Sequence, residues 1–375
     1  MSPKDSNPKI VENLIKCVRC GLCLGACPIY SIEKEEASSP RGRLHIIDRI
    51  HNKTVMREFL NNCLLCGSCN DVCPNGVDIS SLIRDVREEE GIAREIYSLI
   101  KIVQGLDFSS FKIISRMLNV DKNIGGLIKL FAKGRAIPEL SSRKIIYSNK
   151  IESGTIAIFT GCISKLFYPS AVNKIAEFYR ERGYNVYIPE GQLCCGLMNY
   201  SAGDTEKATG FIKRNIELFS SENIEKIVTP CASCAYMLKR YGDIFKGGEI
   251  LSKRVVLLDE DILNEVKKGL QRSGVRVAIH IPCHIRNSKD KSLYKQMKEL
   301  RSLNNVRIID SCCGYGGIFN IYEYSKSIKI GEKIIKEIRD SELLYTFCSG
   351  CYLQIYDLLN RYGIKKEVLN LTELL

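Results

Sequence analysis

Two short cysteine runs constrain this chain more than any other feature. Each run has the spacing C-x₂-C-x₂-C-x₃-C followed by proline, and the two runs comprise Cys17, Cys20, Cys23 and Cys27, then Cys63, Cys66, Cys69 and Cys73. Three thiolates, each separated from the next by two residues, can wrap a tight loop around one cubane cluster. Zinc sites in ribbons use two cysteine pairs instead. The runs therefore predict two [4Fe–4S] clusters.

The fourth cysteine of each run is expected to reach the cluster of the other run. The two predicted ligand sets are then Cys17, Cys20, Cys23 and Cys73, and Cys63, Cys66, Cys69 and Cys27. Gly21 and Gly67 are expected to supply the backbone freedom that such tight loops need. Clusters held in this way pass single electrons, so the pair predicts an electron path rather than a catalytic centre.

The 18 cysteines are more than these runs use, and they occur in a chain of 375 residues. The N-terminal MSPKDSNPKI lacks the apolar core of a signal peptide, and no apolar stretch reaches the roughly 18 to 20 residues of a membrane span. We therefore expect a cytoplasmic protein, with the inner face of the cell membrane as an alternative location. Cytosolic thiols stay reduced, which favours metal ligation over disulfides.

The formal charge of +12 does not by itself indicate nucleic-acid binding. Each [4Fe–4S]²⁺ cluster with four thiolates contributes a net charge of about −2 that the count omits. Basic residues are concentrated in residues 91–150, where they outnumber acidic residues eleven to four. This region has short amphipathic pieces and no cysteine or histidine, and is predicted to be a helical linker. Its basic face is either a solvated helical surface or a surface that docks on an acidic partner or a membrane. No nucleic-acid partner is expected.

Residues 1–90 are expected to form one ferredoxin-like domain. The connector between its cysteine runs, Ser39-Pro40-Arg41-Gly42-Arg43, is polar and contains proline and glycine, and a helical-looking stretch follows from Leu44 to Leu60. Asp78 and Ser80 are candidate caps for a helix that ends at Gly91. Apolar residues recur in that segment at helical spacing, at Leu82, Ile83 and Val86.

From residue 151 onward the chain repeats itself. Each copy has a short apolar strand before a single cysteine, a second before Cys-Cys-Gly and a third before a CxxC pair, with helical segments between. Corresponding cysteines lie 121, 118 and 117 residues apart. The first copy, residues 151–270, contains Cys162, Cys194, Cys195, Cys231 and Cys234, and the second, residues 271–375, contains Cys283, Cys312, Cys313, Cys348 and Cys351.

This repeat predicts the fold class. We expect an α/β protein with an N-terminal α-helical twin-cluster ferredoxin domain and two pseudo-symmetric, doubly wound C-terminal halves with short parallel sheets of three strands each. Ligands of such sheets bind beyond the carboxyl ends of the strands, where all ten repeat cysteines fall.

At this point the chain resembles a known family, the CCG-type cysteine-rich domain proteins with a twin [4Fe–4S] ferredoxin module. The connector Ser39–Arg43 and the sequence Pro282-Cys283-His284 resemble family signatures, and the resemblance covers residues 10–90 and 151–370. Members include the iron–sulfur subunits of glycolate oxidase, anaerobic glycerol-3-phosphate dehydrogenase and lactate-utilisation complexes, and the fused catalytic subunit of heterodisulfide reductase.

The resemblance implies one or two further clusters on the repeat cysteines, either non-cubane or ordinary [4Fe–4S], or a zinc ion in one half. Five thiolates per half exceed what one cubane needs. His284 is a candidate proton donor beside Cys283, whereas His280 in an apolar strand is expected to be a core residue, and His45 and His51 are expected on the surface of a helix.

Two functions remain open at this stage. In the first, the chain is the electron-transfer subunit of an oxidoreductase complex, and a partner flavoprotein dehydrogenase carries FAD, because no flavin motif occurs in this sequence. Electrons then leave for quinone or another small carrier. In the second, the chain is itself catalytic and reduces a disulfide at non-cubane clusters. The substrate, the terminal acceptor, the cluster type of each half and the oligomeric state do not follow from the residues.

Overall fold

The N-terminal region is helical in the computed structural model, which describes residues 8–50, 52–91, 154–221 and 223–375. His51 and the predicted linker beyond Gly91 lie outside the described residues. The α-helices of this region are Pro8–Lys16, Leu22–Ala26, Pro28–Glu33, Pro40–Arg49, Lys53–Asn61, Ser68–Asp71 and Ile79–Glu90.

The connector between the cysteine runs starts a helix instead of forming a loop. Ser39 is its N-cap, and the Ser39 hydroxyl accepts a hydrogen bond of 2.9 Å from the Gly42 amide. A Cβ atom at Gly42 would lie 1.9 Å from the carbonyl oxygen of Glu36, so only glycine fits there. Arg43 is 1% exposed and donates to the Phe59 carbonyl at 2.9 Å. Arg43 therefore ties the connector to the helix that precedes the second cysteine run.

The stretch from Leu44 to Leu60 is two helices, not one. The first ends at Arg49 and the second begins at Lys53. The side chain of Asn52 accepts hydrogen bonds from the amides of Thr54 and Val55 and so caps the second helix. An asparagine in this position favours a helix start over a continuous helix.

The helix predicted after Asp78 is confirmed. The Asp78 carboxylate accepts a hydrogen bond of 3.0 Å from the Ser81 amide, and the helix ends at Gly91 with a φ of 56°. The predicted apolar positions are all buried: Leu82, Ile83 and Val86.

Two parallel four-stranded sheets, with helices packed around them, form the described part of the chain from residue 154 onward. The first has the order β2-β1-β3-β4, and the second has the order β6-β5-β7-β8. The strands of the first sheet are β1 Thr155–Ile158, β2 Asn185–Tyr187, β3 Ile224–Val228 and β4 Val255–Val256. Those of the second are β5 Val277–His280, β6 Val306–Ile309, β7 Leu343–Thr346 and β8 Glu367–Asn370.

The six strands that precede cysteines are predicted correctly, and all pairings are parallel. The expectation of three strands per sheet is wrong, because β4 and β8 add an edge to each sheet. β4 has two residues and gives too short a pattern to read, and neither added strand precedes a cysteine. The repeat is identified from its cysteines, so strands that precede no cysteine, such as β4 and β8, are not part of it.

Helices cover both sheets, as parallel sheets require. The central residues of β1, Ile156 and Ala157, have no exposed surface. Around the first sheet the helices are Cys162–Phe167, Pro169–Glu181, Leu197–Ala202, Thr205–Phe219, Ala232–Leu238, Tyr241–Ile244, Glu249–Arg254 and Glu260–Arg272. Around the second they are Cys283–Arg286, Ser292–Glu299, Phe319–Tyr322, Tyr324–Glu337 and Ser349–Arg361. Within the described ranges, no helix has the length and apolarity to cross a membrane.

Arg87 joins the helical region to the first sheet region. Its guanidinium, fully buried, donates to the carbonyls of Ser201 at 2.8 Å, Leu60 at 2.7 Å and Cys63 at 3.0 Å. Burial lowers the pKa of Arg87 to about 10, so the side chain stays charged at neutral pH. One side chain thus holds the helix end before the second cysteine run against the repeat region.

We predict that Arg87→Leu destabilises the protein, because it leaves these carbonyls buried without a donor. The expected loss is a drop of about 5 °C in the apparent melting temperature of the anaerobically purified protein at a fixed scan rate. Arg180→Leu is the matched control, since Arg180 is exposed on a helix surface, and it should change the melting temperature by about 1 °C or less. Equal effects of the two substitutions would contradict the prediction.

Candidate functional site

The cysteines of the first predicted set surround one small surface cavity of about 30 Å³. Its walls contain Cys17, Cys20 and Cys23 from the first run and Cys73 from the second. The structure therefore brings the fourth cysteine of the second run to the first run. Cys20 is exposed, so this cavity opens at the molecular surface.

The loops of both runs use glycine in the left-handed region. Gly21 has a φ of 85° and Gly67 a φ of 74°, as predicted from their positions in the runs. Each glycine is the N-cap of a short helix, Leu22–Ala26 or Ser68–Asp71. Such a φ is costly for any residue with a Cβ, so these loops depend on glycine at both positions.

The second predicted set is also brought together. Cys27 is buried and packs in one apolar cluster with Leu64 and Cys66. Burial, and then the neighbouring thiols of Cys66, Cys63 and Cys27, raise the pKa of Cys69 well above its ordinary value. The fourth cysteine of the first run thus lies with the three cysteines of the second.

The repeat cysteines converge on one central cavity of about 130 Å³. Each follows the carboxyl end of a strand, and the carboxyl ends of both sheets face this cavity. Cys66 of the second cysteine run lines it, and so do nine of the ten repeat cysteines. These nine are Cys162, Cys194, Cys195, Cys234, Cys283, Cys312, Cys313, Cys348 and Cys351. The tenth, Cys231, is fully buried beside them.

Sulfur atoms within and between the halves are in contact. The Sγ atoms of Cys162 and Cys194 are 3.7 Å apart, and those of Cys313 and Cys351 are 3.3 Å apart. The Cys231 and Cys348 thiols hydrogen-bond each other, so the CxxC pairs of the two halves meet. Among the described residues, no three Cys, His, Asp or Glu side chains are arranged closely enough to enclose one metal ion.

The crowding of these thiols shifts their acidity. The hydrogen bond with Cys194, and then burial, raise the pKa of Cys162 well above its ordinary value. Burial and the neighbouring Cys312 and Cys66 likewise raise the pKa of Cys283. Several thiolates can exist side by side in such a site only if cations compensate their charge. Many soft thiol donors around one cavity fit iron–sulfur clusters or zinc in donor chemistry.

The second cysteine run packs directly against the second half. Asn287 donates to the Cys66 carbonyl at 2.7 Å and to the Ser68 hydroxyl at 2.9 Å. Lys291 forms an ion pair with Asp71 at 2.5 Å. Because Cys66 also lines the central cavity, the ferredoxin region and the repeat region share a wall there.

Arg286 interacts with cysteines of both the second run and the second half, and it was not identified from the sequence. Burial opposes its charge, but the thiols of Cys312, Cys283 and Cys66 outweigh that effect and raise the pKa of Arg286. Its guanidinium donates to the carbonyl of Asp310. Arg286 follows Cys283 by three residues on one short helix, and this spacing is a signal that sequence analysis can use.

His280 and His45 lie in the kinds of position that the sequence predicts, one in the core and one on a helix surface. His280 is 1% exposed and hydrogen-bonds Thr346 at 3.3 Å and the Ser311 carbonyl at 3.1 Å, which confirms a satisfied core residue. His45 is exposed on its helix, also as predicted. His284 lines the central cavity, and its Nδ1 atom is buried without a partner. Burial lowers the pKa of His284 to about 4, so this imidazole is neutral at pH 7.

Aromatic and cationic side chains complete the cavity wall. Tyr236 stacks on His284 with ring centroids 4.5 Å apart. The Arg84 guanidinium lies 4.4 Å from the centre of the Tyr200 ring, and Arg240 lies 5.3 Å from that of Tyr236. Tyr236 follows Cys234 closely in the chain, whereas nothing in the sequence connects Arg84 with the repeat cysteines.

Comparison with known proteins identifies two families in this chain. The sequence matches the cysteine-rich domain family CCG twice, at residues 156–239 and 277–356. It matches the 4Fe-4S dicluster domain family at residues 13–77. These ranges contain all the cysteines of the predicted ligand sets and both repeat copies.

Curated relatives match this chain over most of their own length. The chain is 25% identical to the probable glycolate oxidase iron-sulfur subunit of Bacillus subtilis, over 95% of this chain and 90% of that protein. It is 31% identical to lactate utilization protein A of a Geobacillus species, over 59% of this chain and 98% of that protein. It is 25% identical to a fumarate reductase (CoM/CoB) subunit of Methanothermobacter marburgensis, over 97% of this chain and 72% of that protein.

These matches agree with the cysteine pattern and with the separate helical N-terminal region. The chain belongs to the family of iron–sulfur proteins that join a 4Fe-4S dicluster domain to two copies of the CCG cysteine-rich domain.

Proposed function

We propose that this chain is the electron-transfer subunit of a flavin-dependent dehydrogenase complex. The observation that carries the proposal is the continuous series of cysteine sets, from the surface cavity at Cys20 through the second run to the cavity shared by both halves. Relatives named as a glycolate oxidase iron-sulfur subunit and as lactate utilization proteins support it.

The cysteine runs are proposed to hold two [4Fe–4S] clusters in the crossed arrangement. One ligand set is Cys17, Cys20, Cys23 and Cys73, and the other is Cys63, Cys66, Cys69 and Cys27. Such clusters, when bound, accept and donate one electron at a time. The chain's own contribution is to hold the two sets close together and to cover the second one, which the burial of Cys27 supports.

Each half is proposed to use its five repeat cysteines for one further metal site. A non-cubane [4Fe–4S] cluster is favoured because five thiols per half exceed the four of a cubane and because neighbouring cysteines such as Cys194 and Cys195 serve one cube poorly. An ordinary cluster or a zinc ion in one half is the alternative. The identical strand orders of the two sheets support a pseudo-twofold relation between residues 151–270 and 271–375.

Electrons are proposed to arrive at the exposed first set and to continue through the second set to the central cavity. Arg286 interacts electrostatically with Cys66 and with Cys283 and Cys312, and its positive charge is proposed to stabilise the negative charge of both neighbouring sites. Asn287 and Lys291 keep the second run against the second half. These contacts are what a path of short steps requires of the protein.

The partner is proposed to be a flavoprotein dehydrogenase that carries FAD and oxidises a small 2-hydroxy acid or glycerol phosphate. Electrons leave this chain for quinone or another small carrier. The basic segment 91–150, which we propose as a separate linker, suits docking to an acidic flavoprotein or to the inner membrane surface. The domain division proposed for the chain is 1–90, 91–150, 151–270 and 271–375.

A second candidate function is disulfide reduction by this chain itself. The specific observation that favours it is that cysteines of both halves and His284 line the same cavity. Cleaving a disulfide requires two electrons and stabilisation of two thiolates. In this function His284 supplies its imidazole N–H to a product sulfur. The relative named as part of a fumarate reductase (CoM/CoB) also fits a catalytic complex.

We predict that Cys20→Ala and Cys73→Ala remove the same cluster, although they lie in different runs. Cys66→Ala and Cys27→Ala should remove the other. Each variant should lose about four irons per chain and one of the two electron paramagnetic resonance signals that belong to the cysteine-run clusters of the reduced protein. If Cys73→Ala removes the signal that Cys66→Ala removes, the crossed arrangement is wrong.

We also predict that the complex purified without air contains FAD on a second polypeptide. Adding glycolate, lactate or glycerol 3-phosphate should then reduce the iron–sulfur clusters of this chain. Visible and electron paramagnetic resonance spectroscopy measure this reduction. Heat-released flavin identifies the cofactor, and acetate, which has no hydroxyl group to oxidise, is the control. If none of the three reduces the clusters and a disulfide changes the spectrum of the repeat sites, the second candidate function replaces the first.

A further inference from the structure

Three donors surround the sulfur atom of Cys231. The Ser349 hydroxyl donates to it at 3.0 Å and the Ser349 amide at 3.3 Å, and the Ser233 hydroxyl lies 3.0 Å away. Cys231 has no exposed surface, so water does not compete with these contacts. A ligating thiolate carries no hydrogen and acts only as an acceptor, so both hydroxyls donate to it when it is ligated.

Buried neighbours orient the Ser349 hydroxyl toward this sulfur. Ser164 donates to the Tyr168 hydroxyl at 3.1 Å, and the Tyr168 and Ser349 oxygens are 2.5 Å apart. Because Tyr168 accepts from Ser164, its own hydrogen is available for Ser349, and that leaves the Ser349 hydrogen for Cys231. All three hydroxyl residues are less than a tenth exposed.

The second half lacks the corresponding hydroxyls. The repeat relates Cys231 to Cys348 with an offset of 117, so Ala232 occupies the position that corresponds to Ser349. The amide of Ala232 donates to the carbonyl of Phe347 at 2.6 Å. Its methyl group has no hydrogen to donate to a sulfur.

The position of the second hydroxyl donor, Ser233, also has no hydroxyl in the second half. Gly350 corresponds to Ser233, and a Cβ atom at Gly350 would lie 2.6 Å from the ring of Tyr315. No side chain fits there without displacing the ring, so Cys348 lacks a counterpart of the Ser233 hydroxyl, while the hydroxyl of Ser349 donates to Cys231. Both differences between the two segments therefore favour hydrogen bonding to Cys231 over Cys348.

Hydrogen bonds to ligand sulfur raise the reduction potential of an iron–sulfur site, because reduction increases the negative charge on the sulfur and the donors stabilise that charge. The effect is largest where water is excluded and no other donor can replace them. The direct contact of Cys231 with Cys348 makes the two sites neighbours in any transfer between halves.

We propose that Ser349 is a positioning residue that raises the reduction potential of the first-half site above that of the second-half site. An electron that reaches the second half from the side of Cys66 then passes to the first half. The second-half site is oxidised by one electron and the first-half site is reduced by one, with no other reactant. This inference rests on the proposed function, since it requires iron–sulfur clusters at both repeat sites.

The test is a redox titration of the full-length protein purified without air, in which electron paramagnetic resonance measures the reduction of each cluster. Cys162→Ala and Cys283→Ala assign the signals to the first and second halves. Ser349→Ala should lower the potential of the first-half signal alone. The expected shift corresponds to about a tenfold smaller equilibrium constant for transfer from the second half to the first, or about 59 mV for one electron.

Two further variants separate this role from a general structural one. Ala232→Ser is the matched control, because it adds a hydroxyl at the corresponding position of the other segment, and it should leave the first-half potential unchanged and raise that of the second half. Tyr168→Phe keeps Ser349 but removes the donor that orients it. It should shift the first-half potential in the same direction as Ser349→Ala, and it serves as the test if Ser349→Ala fails to fold.

The outcomes distinguish the inference from the function it rests on. If iron is present at both repeat sites and neither Ser349→Ala nor Tyr168→Phe moves the first-half potential, the inference is wrong and the proposed function stands. If the wild-type repeat sites contain zinc or no iron, the proposed cluster sites fail and the inference fails with them. Equal shifts of both halves in Ser349→Ala would also overturn it.

Discussion

The convergence of thiols at the carboxyl ends of two parallel sheets is the constraint on which this molecule depends. Every strand of a parallel sheet ends on the same edge, so a cysteine placed after a strand is delivered there regardless of its distance along the chain. Ten thiols in one buried region repel one another as thiolates, and burial raises the pKa of groups such as Cys283. Cations that compensate this charge are therefore part of what the repeat region is built to hold.

The helical region is attached to this arrangement at defined points. Arg87 binds carbonyls on both sides of the junction with the first half, and Lys291 and Asn287 hold the second cysteine run against the second half. These contacts fix which cysteine run is nearest the shared cavity, and they leave Cys20 at the surface. The order of sites from the surface to the interior follows from these contacts.

The two halves resemble each other in sequence pattern and strand order but differ in their sulfur environments. The CxxC segment of the first half contains Ser233, and that of the second contains Ser349, and both hydroxyls reach Cys231. Repetition supplies equivalent positions, and single substitutions at those positions make the sites inequivalent. The hydroxyl of Ser349 in the second half donates to the sulfur of Cys231 in the first half. In the proposed function, this single contact sets the direction of electron transfer between the halves.

The sequence by itself determined the dicluster domain, the repeat and six of the eight strands among the described residues, because these depend on local spacing and apolar pattern, and it predicted the cysteine ligand sets. The helix after Asp78 and the core role of His280 were also predictable, since capping and apolar context are local signals. The edge strands Val255–Val256 and Glu367–Asn370 were missed because a short edge strand has a weak pattern. Only the tertiary structure decided that both halves share one cavity, that Arg84 and Arg286 belong to its surroundings, and that Ser349 reaches Cys231. These contacts join residues far apart in sequence, and no spacing rule encodes which side chains meet when two sheets pack together.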